Sequence, residues 1–113
     1  MNADADRAEF RRHVAESERL KDANDVTAAN AQIEALDALV APWKDQGRTD
    51  ELLVPLLEQV ESEPVRFSAA TSLLGAAHTD IALAALETLR DTAEGIASVD
   101  ARIVIDYWRR QNA

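Results

Sequence analysis

Apolar residues recur along this chain at helical spacing, in six blocks separated by short polar breaks. The first block, about residues 5–21, carries only a thin stripe of Phe10, Val14 and Ser17 or Leu20 among many charges. Such a pattern predicts a helix that leans on the fold from outside. Asp22-Ala-Asn-Asp25 breaks it, and Asn24 or Asp25 can cap the next helix. The second block, about 25–44, has the strongest period: Val26, Ala29, Ile33, Leu36, Val40 and Trp43 share a face, with Leu39 beside them. Pro42 removes a hydrogen bond and disfavours helical backbone at Ala41, which predicts a kink or an early end. Gly47 closes the segment.

The third block, about 50–61, opens on Thr49 or Asp50 as a cap, and Asp50 and Glu51 suit the helix dipole. Leu52, Leu53, Leu56, Leu57 and Val60 should face inward, with a bend at Pro55. After the turn Ser62-Glu63-Pro64 comes a fourth block, about 64–76. Val65, Ala69, Leu73 and Ala76 fall on one side of it, and Phe67, Ala70 and Leu74 carry the apolar arc past half the circumference. A helix that apolar is packed on more than one side, so this is the expected central element, with Gly75 as its stop. Thr79 is the expected cap of a fifth helix, about 79–91, burying Ile81, Ala82, Ala85, Leu86 and Leu89. Asp91 to Ala97 reads as a loop, and Ser98 as the cap of a last helix, about 98–110, with Ala101, Val104, Ile105 and Trp108 inside.

Leu52, Leu56, Leu57 and Val60 superpose on Ile81, Ala85, Leu86 and Leu89 at an offset of 29, and Ala69, Leu73 and Ala76 on Ala101, Ile105 and Trp108 at an offset of 32. Two helical hairpins in succession suggest stacked antiparallel pairs, an α-α superhelix. Two copies leave an open end, which the first two helices should cover. The predicted fold is therefore all-α: six helices in one 113-residue domain.

Composition narrows the function. No apolar run is long enough to cross a bilayer, and the first residues form no secretory signal. There is no cysteine, which removes disulfides and thiolate chemistry and fits a reducing, cytoplasmic setting. The net charge of −9 disfavours nucleic acid and anionic membranes and suits a basic protein partner. The charge is uneven: residues 23–62 hold eight acids against Lys44 and Arg48 alone. Asp25, Glu34, Asp37, Asp45, Asp50, Glu51, Glu58 and Glu61 would form one acidic, partner-steering face if the second and third helices are neighbours.

Pro64–Leu74, with its Val-Arg, Ala and Leu spacing, resembles the second helix of a HEAT-like repeat, and Leu53-Val-Pro-Leu-Leu its proline-bent first helix. Asn24-Asp25, Ala29-Asn30, Val65-Arg66, Ala69-Ala70 and Trp108 resemble a small bacterial HEAT-like family catalogued as a domain of unknown function. That family commonly has Gly where this chain has Asn24, a departure confined to a turn. The resemblance implies a binding scaffold without catalysis; by analogy, some small acidic HEAT-like proteins neutralise toxins.

The remaining candidates are chemical. Glu9, His13 and Glu16 share a helix face and could converge on a metal, though an exposed, ion-paired face has the same pattern. That face is the basis of the rival reading, a small hydrolase or metal-dependent enzyme. There is no Gly-x-Ser-x-Gly elbow and no glycine-rich phosphate loop, so no catalytic, cofactor or metal residue is assigned. His78 reads as a solvated loop residue. Arg66 sits in an apolar arc and needs the carboxylate of Glu61 or Glu63, or carbonyl groups, to be buried there. Asn30 is expected to be a buried structural amide and Trp108 a core residue, whereas Tyr107 lies off the inner stripe and is the better surface contact.

Overall fold

In a computed structural model, which describes residues 3–74 and 78–112, the chain is all-helical. Six α-helices and one 3-10 turn account for its regular structure, with no strand among the described residues. They are α1 (Ala3–Asp22), α2 (Val26–Asp45), α3 (Thr49–Leu53) running into the 3-10 turn (Val54–Leu57), α4 (Glu63–Leu73), α5 (Thr79–Thr92) and α6 (Ile96–Gln111). The helices pack in contacting pairs: α1 on α2, the α3 segment on α4, and α5 on α6, with α4 also against α1 and α5. The expected roles of Gly75 and Ala76 fall outside the described residues.

α4 is central because its two sides feed two cores. Val65, Ala69 and Leu73 join Phe10, Val14, Leu36, Val40, Trp43 and the three leucines Leu52, Leu53 and Leu56. Ala70, the very next residue after Ala69, turns to the other side and packs with Leu86, Leu89, Ala101 and Ile105. Small alanines at both positions let neighbouring helices approach on either flank. Ser62 caps α4, its side chain accepting from the Val65 N–H at 3.4 Å, and Pro64 sits in the first turn where its missing N–H costs nothing.

Several expected details change. One does not: α1 rests on the fold through the expected thin stripe, Phe10, Val14 and Ser17, and the fully buried Phe10 ring meets Trp43 at 6.3 Å between centroids. A thin stripe suffices because one large aromatic does most of the covering. Asp25 caps α2, accepting from the Ala28 N–H, while Asn24 takes a positive φ of 61°. Asparagine tolerates that left-handed geometry better than most residues, and glycine would tolerate it freely. α2 runs through Pro42 to Asp45 rather than stopping. The carbonyl orphaned by Pro42 belongs to Ala38, an exposed residue with water at hand, and Trp43 is buried beyond it. Val26 and Ile33, expected inside, are exposed on α2.

The third helix is shorter than its pattern. Pro55 converts the chain to a 3-10 turn, Glu58 is extended, and Val60 emerges 84% exposed. The offset repeat therefore fails at Val60, whose counterpart Leu89 is fully buried, and at Ile81, whose counterpart Leu52 is, but holds at Ala69/Ala101 and Leu73/Ile105. None of the three expected hydroxyl caps at Thr49, Thr79 and Ser98 forms: all three residues lie inside their helices. Gly95, at φ 70° and ψ −138°, makes the turn into α6, so that helix starts early and the loop is short. Ser98 instead donates its hydroxyl to the Arg90 carbonyl at 2.7 Å, tying α6 to the last turn of α5. Ile81 is exposed and Trp108 only half-buried, at the outer margins of their helices.

Candidate functional site

The side of α4 that faces neither core opens on a groove. Its middle is a hollow of about 160 Å³. Val14 and Ser17 of α1 and Leu36 of α2 lie at its base, buried or nearly so. Gln32, Ile33 and Asp37 rise on the α2 side, and Phe67, Ser68, Thr71 and Ser72 on the α4 side. Asp100 of α6 closes one end together with Glu18 and Lys21 of α1. Two further hollows continue it. One of about 380 Å³ shares Asp37, Thr71 and Ser72 and extends to Lys44. The other, about 330 Å³, shares Glu18, Lys21, Phe67 and Asp100 and reaches Asp22, Glu63, Glu94 and Ile96.

The groove follows from helix periodicity. Ser68, Thr71 and Ser72 stand at i, i+3 and i+4, a polar strip on a helix whose two core-facing flanks are largely apolar. A neighbour packed there would have to satisfy three hydroxyls, so this is the flank left open to water. Thr71 bonds back to the Ser68 carbonyl at 2.9 Å.

Its charge is mostly negative. Six carboxylates line the three hollows (Glu18, Asp22, Asp37, Glu63, Glu94 and Asp100), against Lys21 and Lys44. Glu18 lies 3.5 Å from Lys21; among the described residues the other five make no ion pair within 4 Å. Three carboxylates outside the groove are held below their usual range by hydrogen bonds from guanidinium groups: Glu61 by Arg11, Glu16 by Arg19 and Asp91 by Arg90.

The expected acidic face on the second and third helices is broken up. α3 packs chiefly on its own 3-10 turn, on α4 and on α1, and touches α2 only lightly. Asp25 is spent on its cap, and Glu61 is bound to Arg11. Asp50 sits 2.5 Å from His78 Nε2, so His78 is a paired residue rather than a free loop side chain. Glu51 lies 3.7 Å from the Arg48 guanidinium, and its backbone carbonyl accepts from Arg7 at 2.8 Å. Glu34, Asp45 and Glu58 remain exposed but line none of the three hollows; only Asp37 does.

Arg66 is buried, as expected, but its partners are neutral. Nε donates to the Glu61 carbonyl at 3.1 Å and Nη1 to Gln59 Oε1 at 3.2 Å, because the Glu61 carboxylate has turned to Arg11. Asn30 is exposed, not a buried fastening. Its neighbour Ala29 is the buried residue of that turn of α2.

Glu9, His13 and Glu16 do not converge. His13 Nδ1 is 2.9 Å from Gln32 Oε1, Nε2 is 3.8 Å from Glu9, and Glu16 is engaged by Arg19. His13 also borders the groove, yet both its nitrogens face these partners, and no groove hydroxyl hydrogen-bonds to it among the described residues. Tyr107 is exposed on α6, away from the groove. Comparison of the chain with protein-family models, curated proteins and solved structures finds no match in any of the three.

Proposed function

We propose that this protein is a non-catalytic, HEAT-like binding module whose groove takes an extended, basic protein segment bearing apolar side chains. The observation that carries the reading is the groove's lining: six carboxylates against two lysines, interspersed with Ile33, Phe67 and Ile96. Apolar side chains accessible in a concave surface supply affinity, and uncompensated like charge around them selects the sign of the partner. In this reading the basic partner is met in the cleft between α1, α2, α4 and α6 and not on the outer faces of the second and third helices. The HEAT-like assignment is supported by the succession of two helix pairs with Ala69/Ala101 and Leu73/Ile105 in matching buried positions.

The test is a fluorescence-polarisation titration with two labelled peptides of equal length, one alternating Lys or Arg with Leu or Phe, the other Glu with the same apolar residues. Binding of the basic peptide alone, weakening as salt is raised and lost in Asp37→Lys/Asp100→Lys, supports the reading. Equal affinity for both peptides, or no effect of the double reversal, removes it.

A further inference from the structure

α6 carries a second apolar stripe that no part of the described chain covers. Its inner face, Ala101 and Ile105 with Val104 beside them, packs on α5 and α4. On the opposite face Ile96, Val99, Ile103 and Tyr107 are 77%, 45%, 56% and 62% exposed. The spacing of three, four and four residues places them in one line along the helix. Four large apolar side chains in line on one exposed helix face are more than scattered surface hydrophobes, and such a patch marks an interaction site.

The margin of the stripe identifies what covers it. Arg102 and Asp106 lie one turn apart on the same edge, both exposed, and neither makes an ion pair within 4 Å among the described residues. Asp106 feels Arg90 at longer range, but Arg90 is bonded to Asp91. Arg109, further round, is held by Glu87 of α5 at 2.8 Å. One cation and one anion a turn apart make an edge complementary to itself once a second, identical helix lies antiparallel against it. Arg102 then meets Asp106 of the second copy and Asp106 meets Arg102 of the second copy, as a two-fold axis requires.

We infer that α6 is a self-association surface, with two copies of this chain docking antiparallel through Val99, Ile103 and Tyr107 and locked in register by reciprocal Arg102–Asp106 pairs. In that register Ile103 stacks against its own counterpart and Tyr107 of the other copy, and Val99 lies beside Tyr107. Ile96 falls near the end of the contact and stays available to the groove it borders. A 16-residue helix is about 24 Å long at ~1.5 Å per residue. Such a contact buries well under the ~800 Å² per partner of tight complexes. The dimer is therefore weak and concentration-dependent. This surface is independent of the proposed groove function, since neither Ile103 nor Tyr107 lines any of the three hollows of the groove.

Sedimentation velocity across a concentration series of the full chain reads the monomer–dimer equilibrium directly. Ile103→Glu should abolish the dimer, and because the side chain is exposed the circular dichroism and melting temperature should stay as in the parent. Arg102→Glu and Asp106→Arg should each weaken association about tenfold or more, since like charges then oppose one another. Their double substitution should restore it. Mixing the two single variants should give a heterodimer tighter than either homodimer, an outcome that no intramolecular effect produces. A chain that remains monomeric into the high micromolar range overturns the inference. So does a dimer indifferent to Ile103→Glu, or single variants that do not rescue each other on mixing.

Discussion

Arg11 on α1 and Glu61, in the turn before α4, clasp each other through two parallel hydrogen bonds, Nε to Oε1 at 2.8 Å and Nη2 to Oε2 at 2.7 Å. Fifty residues separate them in sequence. The pair joins α1 to the segment that launches the central helix. The same Glu61 presents its backbone carbonyl to Arg66, so this one residue is held at both ends. Glu61→Gln keeps the shape and loses the charge. It should lower stability by ~0.5–1 kcal/mol, modest because the Arg11 side chain is 43% exposed and solvent screens it. Urea denaturation at neutral pH reads the difference.

The same clasp sets a pH dependence. Arg11's hydrogen bonds depress the Glu61 carboxyl below its ordinary 4.5 in the folded state. The native state therefore binds that proton less readily than the unfolded chain does. The stability it contributes is complete above 4.5 and is lost as pH falls through the depressed folded value. Denaturation midpoints measured from neutral pH into the acid range should fall less steeply for Glu61→Gln than for the parent. Parallel curves would mean the clasp does not survive in solution.

Arg66 and Arg11 should act together, because both order the turn 58–62. Arg66→Met leaves the Glu61 carbonyl and Gln59 without their donor and loosens the turn that aims the Glu61 carboxylate. In a double-mutant cycle with Arg11→Met, the two losses should fall short of additivity by at least ~0.5 kcal/mol. Additive effects would show that the two guanidinium groups support separate structures.

Leu73 lies fully buried at the C-terminal end of α4. Leu73→Ala should cost ~2–5 kcal/mol, depending on how far α1 and α3 can collapse into the space. An almost unmoved denaturation midpoint would contradict its place in the core.

Two neighbouring acids on α2 separate groove from general charge. Asp37 lines the groove and Glu34, one turn earlier, does not. Asp37→Lys should weaken binding of a basic peptide severalfold, while Glu34→Lys, which changes net charge equally, should do so far less. Equal effects would show that only net charge matters. Neither should move the melting temperature appreciably, since both side chains are exposed.

Much of the fold is legible in the residues, and the misses have a common cause. Period alone locates the helices and the central place of α4, because the positions of Ala69, Ala70 and Leu73 leave little of its surface polar. It does not say how much of each stripe a neighbour covers. Val26, Ile33 and Ile81 continue good stripes past the edge of their partners and emerge into water. Val60 misleads because Pro55 ends the helical register before it. The three hydroxyl caps fail because Gly47 and Gly95, both at positive φ, allow α3 and α6 to begin earlier, and α5 begins at Thr79 itself. The groove is the hardest part to read, since four helices contribute to it. One local signal is present: Ser68, Thr71 and Ser72 break the apolar circumference of the central helix and mark its uncovered flank. The outer stripe of α6 is signalled only by Tyr107, because Ile96 and Val99 fall in or beside a segment whose pattern reads as loop and cap.

The back-to-back alanines of α4 also govern how the molecule comes apart. Ala69 belongs to one apolar cluster and Ala70 to the other, so neither cluster can melt without stripping one flank of the same helix. Breathing motions should therefore be confined to the periphery, with α6 lifting from α5 or the start of α1 fraying while α4 stays seated against whichever half remains. Amide protons near Ala69 and Ala70 then have no partial route to solvent. They should exchange with deuterium last and together, at a rate set by opening of the whole domain, whereas those of α6 leave earlier through local detachment.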